Sequence, residues 1–179
     1  MQKTKVHTKY PISSVLIYNG TTIAHFVLGG LGIIYGYSFS WLGNLFGALY
    51  LVFAFAQMYI LMPLKVCPNC VYYGMEDSVC ISGMNVVSRR IAKKGDIKQF
   101  PNRSKGLFSH NNLYMASLII PIAAIIPALV LNYSPFILAV LIAVVGLLIF
   151  RIFVVFKRIA CVYCAAKKLC PNAQSMGIA

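Results

Sequence analysis

Four stretches of the chain are long and apolar enough to cross a bilayer as helices, which takes about 20 residues each. They run from about Ile12 to Tyr35, Trp41 to Leu64, Leu113 to Leu131 and Ser134 to Phe156. Two tight polar turns, Gly36 to Ser40 and Asn132 to Ser134, join the members of each pair. The first stretch is too long for a cleavable signal peptide, and no small-residue cleavage site follows it. The pattern predicts an all-α, polytopic integral membrane protein made of two parallel helical hairpins, with a cysteine-rich middle loop and a cysteine-rich C-terminal tail. Its segments are 1–11 (basic N-terminus), 12–64 (spans one and two), 65–112 (the loop), 113–157 (spans three and four) and 158–179 (the tail).

Small residues mark where these helices approach each other. Gly29, Gly30, Gly32 and Gly36 give the first span a small-residue face, and Gly43 and Gly47 start the second with a small-xxx-small pair. Pro121 and Pro127 each remove a backbone hydrogen bond from the third span and predict bends there. Tyr35, Tyr37 and Trp41 cluster at the first turn, where aromatic rings favour a membrane interface. Between Ile81 and Ile97 the period changes: Met84, Val87 and Ile91 recur at near-helical spacing among Arg89, Arg90, Lys93 and Lys94. That pattern predicts a short helix lying on the membrane surface.

Composition agrees. Of 179 residues, 60% are hydrophobic and only 11% are charged, against about a quarter charged in a soluble domain. Charge then orients the chain. Lys3, Lys5 and Lys9 precede the first span. Lys65, Arg89, Arg90, Lys93, Lys94, Lys98, Arg103 and Lys105 lie between the second and third. Arg151, Lys157, Arg158, Lys167 and Lys168 sit at or after the end of the fourth. These are all 16 lysines and arginines, and the two turns hold none. The positive-inside rule places both termini and the middle loop in the cytoplasm of a cell whose inner (cytoplasmic) membrane the chain crosses. The net charge of +13 then reads as a topology signal and a contact for anionic lipid in the cytoplasmic leaflet, not as a nucleic-acid footprint.

Six cysteines supply the candidate chemistry, all on the basic side. Cys67 and Cys70 form a CxxC pair with Cys80 to follow; Cys161 and Cys164 form another with Cys170 to follow. The order "two spans, then a cysteine triad" thus occurs twice, with Lys65 and Arg158 just before the pairs. It resembles a parallel repeat about an axis along the membrane normal. A CxxC loop turns two thiolates toward one metal or one cluster, and thiolates are soft ligands for zinc, copper(I) and iron–sulfur clusters. Iron–sulfur chemistry is favoured: four thiolates from the two pairs could hold one cluster, or each triad could hold its own. Proline follows Cys67 and Cys170, as it follows the last cysteine of bacterial ferredoxin runs, although neither spacing matches the bacterial or plant-type run. Zinc in a stapled scaffold is the alternative, and it leaves Cys80 and Cys170 without a role. A thiol–disulfide enzyme is the third reading, against which a reducing cytosol weighs.

His25 is the sharpest polar group within a span, about 13 residues or roughly 20 Å from the basic end, with Asn19, Thr21 and Thr22 near it and Gln57 in the second span. It is a candidate quinone contact, set against an ordinary histidine bonded to a neighbouring helix. His110 is a candidate extra ligand on the cysteine side, and Glu76 and Asp77 sit inside the first triad. No phosphate loop, dinucleotide fingerprint, HExxH or GxSxG occurs. The expectation is therefore an electron-transfer subunit with Cys67, Cys70, Cys80, Cys161, Cys164 and Cys170 as ligands. It would pass electrons from a cytosolic donor to a membrane acceptor such as a quinone, alongside redox partner subunits or in an oligomer.

Overall fold

The computed structural model describes residues 6–178, so Lys3 and Lys5 of the basic N-terminus lie outside the described residues. Helix α1 (Ile12–Gly36) leads through a short turn to α2 (Trp41–Ala56), which continues as a ten-residue π-helix, Gln57–Val66, and a 3₁₀ turn to Asn69. A short helix α3 (Met84–Ile91) follows in the loop. Helix α4 (His110–Leu131) turns at Asn132–Ser134 into α5 (Pro135–Phe150), which continues as a second ten-residue π-helix, Arg151–Ala160. A one-turn helix α6 (Pro171–Ser175) lies near the end. Among the described residues no strand forms, only two isolated bridges.

Four helices are long and apolar enough to span a membrane: Ile12–Gly36, Trp41–Asn69, His110–Leu131 and Pro135–Ala160. The second and fourth run further than the apolar pattern shows, because their π-helical ends carry Lys65, Lys157 and Arg158 beyond the apolar stretch. As a result Cys67 belongs to the last turn of a spanning helix, where the sequence pattern puts every cysteine in a loop. Ser40, Ser109 and Ser134 cap α2, α4 and α5 by accepting a backbone N–H in the first turn, which is why the two tight turns fall where they do.

Helix α1 is the hub, packed on α2, α4 and α5, with α4 also on α5. Phe26, Ile33, Met58, Leu118, Ile125, Ile137 and Val144 form the sealed centre. The outer surface is equally apolar, with Leu16, Leu49, Val52, Val130 and Ile142 exposed. Water would penalise that hull, and lipid does not. The glycines predicted to mark close approach do so. A Cβ on Gly29 would stand 2.6 Å from Pro121 Cβ, one on Gly32 2.6 Å from Ile125 Cδ1, and one on Gly47 2.4 Å from Ile34 Cγ1.

Proline in α4 is compensated by a neighbour. Pro121 has no N–H for the carbonyl of Ser117, four residues back. Tyr50 of α2 reaches across and donates its hydroxyl to that carbonyl at 2.9 Å. The Tyr37 hydroxyl likewise donates to Ala124 O at 2.9 Å, next to the carbonyl that Pro127 leaves free. Tyr50 thus satisfies backbone at Pro121 that a bilayer cannot.

Candidate metal centre

Each cysteine pair sits on the same local device. A π-helix ends at the first cysteine, whose N–H bonds five residues back: Cys67 to Met62 O, and Cys161 to Phe156 O at 2.9 Å. Each pair then closes a turn, with Cys70 N donating to Cys67 O at 3.0 Å and Cys164 N to Cys161 O at 3.2 Å. The backbone N–H two residues on, Tyr72 for Cys70 and Ala166 for Cys164, favours the thiolate form of each second cysteine. Two segments with poor sequence identity therefore fold into matching thiol-presenting turns. A π-helix adds one residue per turn and rotates the chain downstream of it, a physical reason for it to precede both pairs.

Both turns face one cavity of about 130 Å³, lined by Cys67, Cys70, Cys80, Cys161, Cys164 and Cys170. That is far more than the roughly 10–15 Å³ that admits a single water. All six thiols are free. The floor, on the membrane side, is apolar and aromatic: Tyr18, Met62, Val66 and Phe156. Arg103 is the one charged wall residue, from the 3₁₀ segment Ile97–Ser104. Burial pushes up the thiols of Cys70 and Cys161, to about 12, and that of Cys164, to about 11. Thiolate neighbours add to the rise: Cys164 and Cys80 at Cys70, Cys170 and Cys164 at Cys161, Cys170 and Cys80 at Cys164. Arg103 opposes it at Cys70 and Cys161. Those couplings run within each triad and also across the seam between them. Thiols held so strongly neutral are poor nucleophiles. They become good ligands once a metal's charge takes the place of the proton.

The seam is closed by a strap that the sequence pattern does not reveal, the segment 6–10 before α1. His7 N donates to Tyr163 O at 2.9 Å in the second triad's turn, while Tyr10 N donates to Val79 O at 2.9 Å and Val79 N to Thr8 O at 3.2 Å beside the first triad. Tyr72 joins all three pieces. Its hydroxyl donates to His7 O at 2.6 Å and accepts from Ala165 N at 3.1 Å. The Tyr10 hydroxyl donates to Ala160 O, at the end of the π-helix. An extended segment that bonds a different loop on each side carries no helical period, so in the sequence it reads only as a basic tail.

Cys80 is fixed from behind by α3. Its N–H donates to Asn85 Oδ1 at 3.0 Å, and Asn85 Nδ2 donates to Ser78 O at 2.9 Å. Arg89 donates to Met75 O and Ser78 O, both at 2.7 Å. So α3, eight residues long where the pattern covers Ile81 to Ile97, turns its polar side inward and leaves Val86, Val87 and Ile91 exposed. Arg89 serves the loop.

The remaining candidates stand apart. His25 is fully buried between helices; its Nε2 lies 3.1 Å from Leu118 O and its Nδ1 has no partner. It does not line the cysteine cavity. His110 lines a neighbouring cavity with Lys65, Asn69 and Arg103. Glu76 and Asp77 lie outside both cavities, and Asp77 is exposed. Arg151, which the charge pattern groups with the basic mouth, is instead fully buried nine residues before its helix ends. The aromatic side chains that enclose it come from three different helices and cannot be paired by sequence spacing.

Among the described residues no three cysteine, histidine or carboxylate side chains converge closely enough to hold a single metal ion as they stand. The thiols surround a volume rather than a point. No protein-family model, curated protein or solved structure matches this chain.

Proposed function

We propose that the chain is a membrane electron-transfer subunit whose six cysteines hold an iron–sulfur centre at one mouth of a four-helix bundle. The observation that carries this reading is the lining of one cavity by all six thiols, presented by two matching turns. A single zinc ion needs its sulfurs gathered about 2.3 Å from one point. A polynuclear cluster takes thiolates spread around a larger body, and hydrogen bonds to those sulfurs tune its potential. The Tyr72 and Ala166 N–H groups, which favour the thiolate forms of Cys70 and Cys164, are the groups placed to do so. The fit therefore favours a cluster over an ion, with the aromatic floor separating it from the lipid-depth core.

The basic side of the chain, and with it the centre and both termini, lies in the cytoplasm by the positive-inside rule. The exposed Val86, Val87 and Ile91 face of α3, flanked by Arg90, Lys93 and Lys94, then rests on the anionic leaflet. The donor is a cytosolic redox protein or partner subunit, and the acceptor is a lipid-soluble carrier such as a quinone. The test is anaerobic purification followed by reduction with dithionite. The protein should show visible absorbance that bleaches on reduction, and a paramagnetic signal once reduced. Cys80→Ser and Cys170→Ser should each lower the iron content. A colourless protein that binds only zinc would replace this reading with that of a stapled scaffold.

A further inference from the structure

Among the described residues Arg151 is the one fully buried side chain with a permanent charge. Every partner it has is neutral. Its Nε donates to the Tyr114 hydroxyl, and Nη1 donates to Tyr18 O and Thr21 Oγ1, both at 3.2 Å. The guanidinium carbon lies 4.6 Å from the Tyr18 ring centroid and 5.3 Å from those of Tyr114 and Phe156. Nη2 has no partner at all. Aromatic faces solvate a cation but do not cancel its charge. The chain has three acids, Glu76, Asp77 and Asp96, and all lie in the loop, away from the bundle interior. A cation buried without a counter-charge is strongly unfavourable, so the counter-charge must come from outside the side chains of the bundle.

The cavity above it offers one. Tyr18 and Phe156 are at once walls of the Arg151 cage and floor of the cysteine cavity. Two of the rings that enclose the guanidinium therefore also line the cavity that holds the thiols. Arg103, on the cavity wall, has a buried Nε without a partner. A protonated thiol gives such a cation no counter-charge. Thiolates ligating a cluster leave the centre net negative, because their summed charge exceeds that of the core they bind.

We infer that Arg151, aided by Arg103, is the built-in counter-charge of an anionic thiolate-bound centre and raises its reduction potential. The inference rests on the cluster reading above. Reduction adds one electron to the centre, taken from the donor, with no proton or bond change required. A fixed positive charge in a low-dielectric site stabilises the form carrying the extra negative charge. Arg151 is a positioning residue here: it acts on the centre across the rings and touches no reacting atom.

The experiment compares wild type, R151Q, R151K and R103Q, each purified anaerobically. Iron and sulfide are measured first, and then the one-electron reduction equilibrium is titrated against dithionite with redox mediators. Iron content should match wild type in all three variants. R151Q should shift the equilibrium at least tenfold toward the oxidised form, about 59 mV for a one-electron couple. R151K, which keeps the charge, should show less than half that shift, and R103Q should shift in the same direction as R151Q. An unchanged equilibrium in R151Q with iron intact would overturn the inference. So would equal shifts in R151K and R151Q, which would make the ring packing rather than the charge responsible. If R151Q fails to fold, R103Q decides: no shift there overturns it. A wild type without iron overturns the cluster reading itself, before any variant is compared.

Discussion

Tyr50 shows how single residues in this bundle answer for backbone chemistry. Its hydroxyl serves the Ser117 carbonyl that Pro121 orphans. Tyr50→Phe should therefore cost about 1–3 kcal/mol, the usual penalty for an unsatisfied buried acceptor, read as a lower unfolding midpoint in detergent. Restoring an N–H with Pro121→Ala should shrink that cost, so the double variant should lose less than the sum of the two single changes. The thiols make a second residue-scale prediction. Without metal, Cys70, Cys161 and Cys164 keep their protons to about 11–12, above the ordinary 9.0 of a free thiol. Folded, metal-free protein at pH 8 should then be alkylated at these sites more slowly than the denatured chain. Its rates should go on rising with pH after those of the denatured chain have levelled off above about 9. Equal rates at pH 8 would contradict the burial of these thiols. The cysteine positions are legible from spacing alone. The partners of Arg151, Tyr50 and Tyr72 are not, since these pairings join residues far apart in the chain that share no local period.

At the scale of elements, hydropathy and glycine placement foretell the spans, their turns and their closest approaches. They do so because lipid selects long apolar runs, and backbone contact selects glycine. Gly43 is the tightest case within the spans: a Cβ there would lie 2.2 Å from Tyr37 Cβ and 2.4 Å from its carbonyl oxygen. Gly43→Ala should destabilise the α1–α2 hairpin by about 1–3 kcal/mol, as overpacking does. Gly20→Ala, with nothing within 4 Å, should be tolerated. Thermal unfolding of the two variants side by side checks this. The π-helical ends escape the pattern. An extra residue in a helical turn leaves no mark on hydropathy, yet the rotation it imposes helps aim both cysteine pairs at one cavity. The strap at 6–10 escapes for a different reason: its order comes from the two loops it joins.

The whole molecule is polarised. Among the described residues, loops, strap, tail and thiols gather at one end, and the other end holds two short turns. Shortening the strap should therefore act on both triads together. Removing residues 1–9 deletes the His7 and Thr8 hydrogen bonds while leaving every cysteine in place. The expected result is loss of most bound metal with the helical content retained, measured by metal analysis and circular dichroism. Full metal retention would show that the triads hold their geometry without the strap.

The iron, zinc and acid-labile sulfide content per chain of anaerobically purified protein tests the thiolate-bound cluster most directly. Iron and sulfide should appear in equal amounts, about four of each for one shared cluster and about twice that if each triad holds its own. When the cysteines of either pair become serine, both should be lost from one shared cluster and both should fall by about half if each triad holds its own. About one zinc per chain with no sulfide would contradict the cluster, and so would metal-free protein with all six thiols titratable.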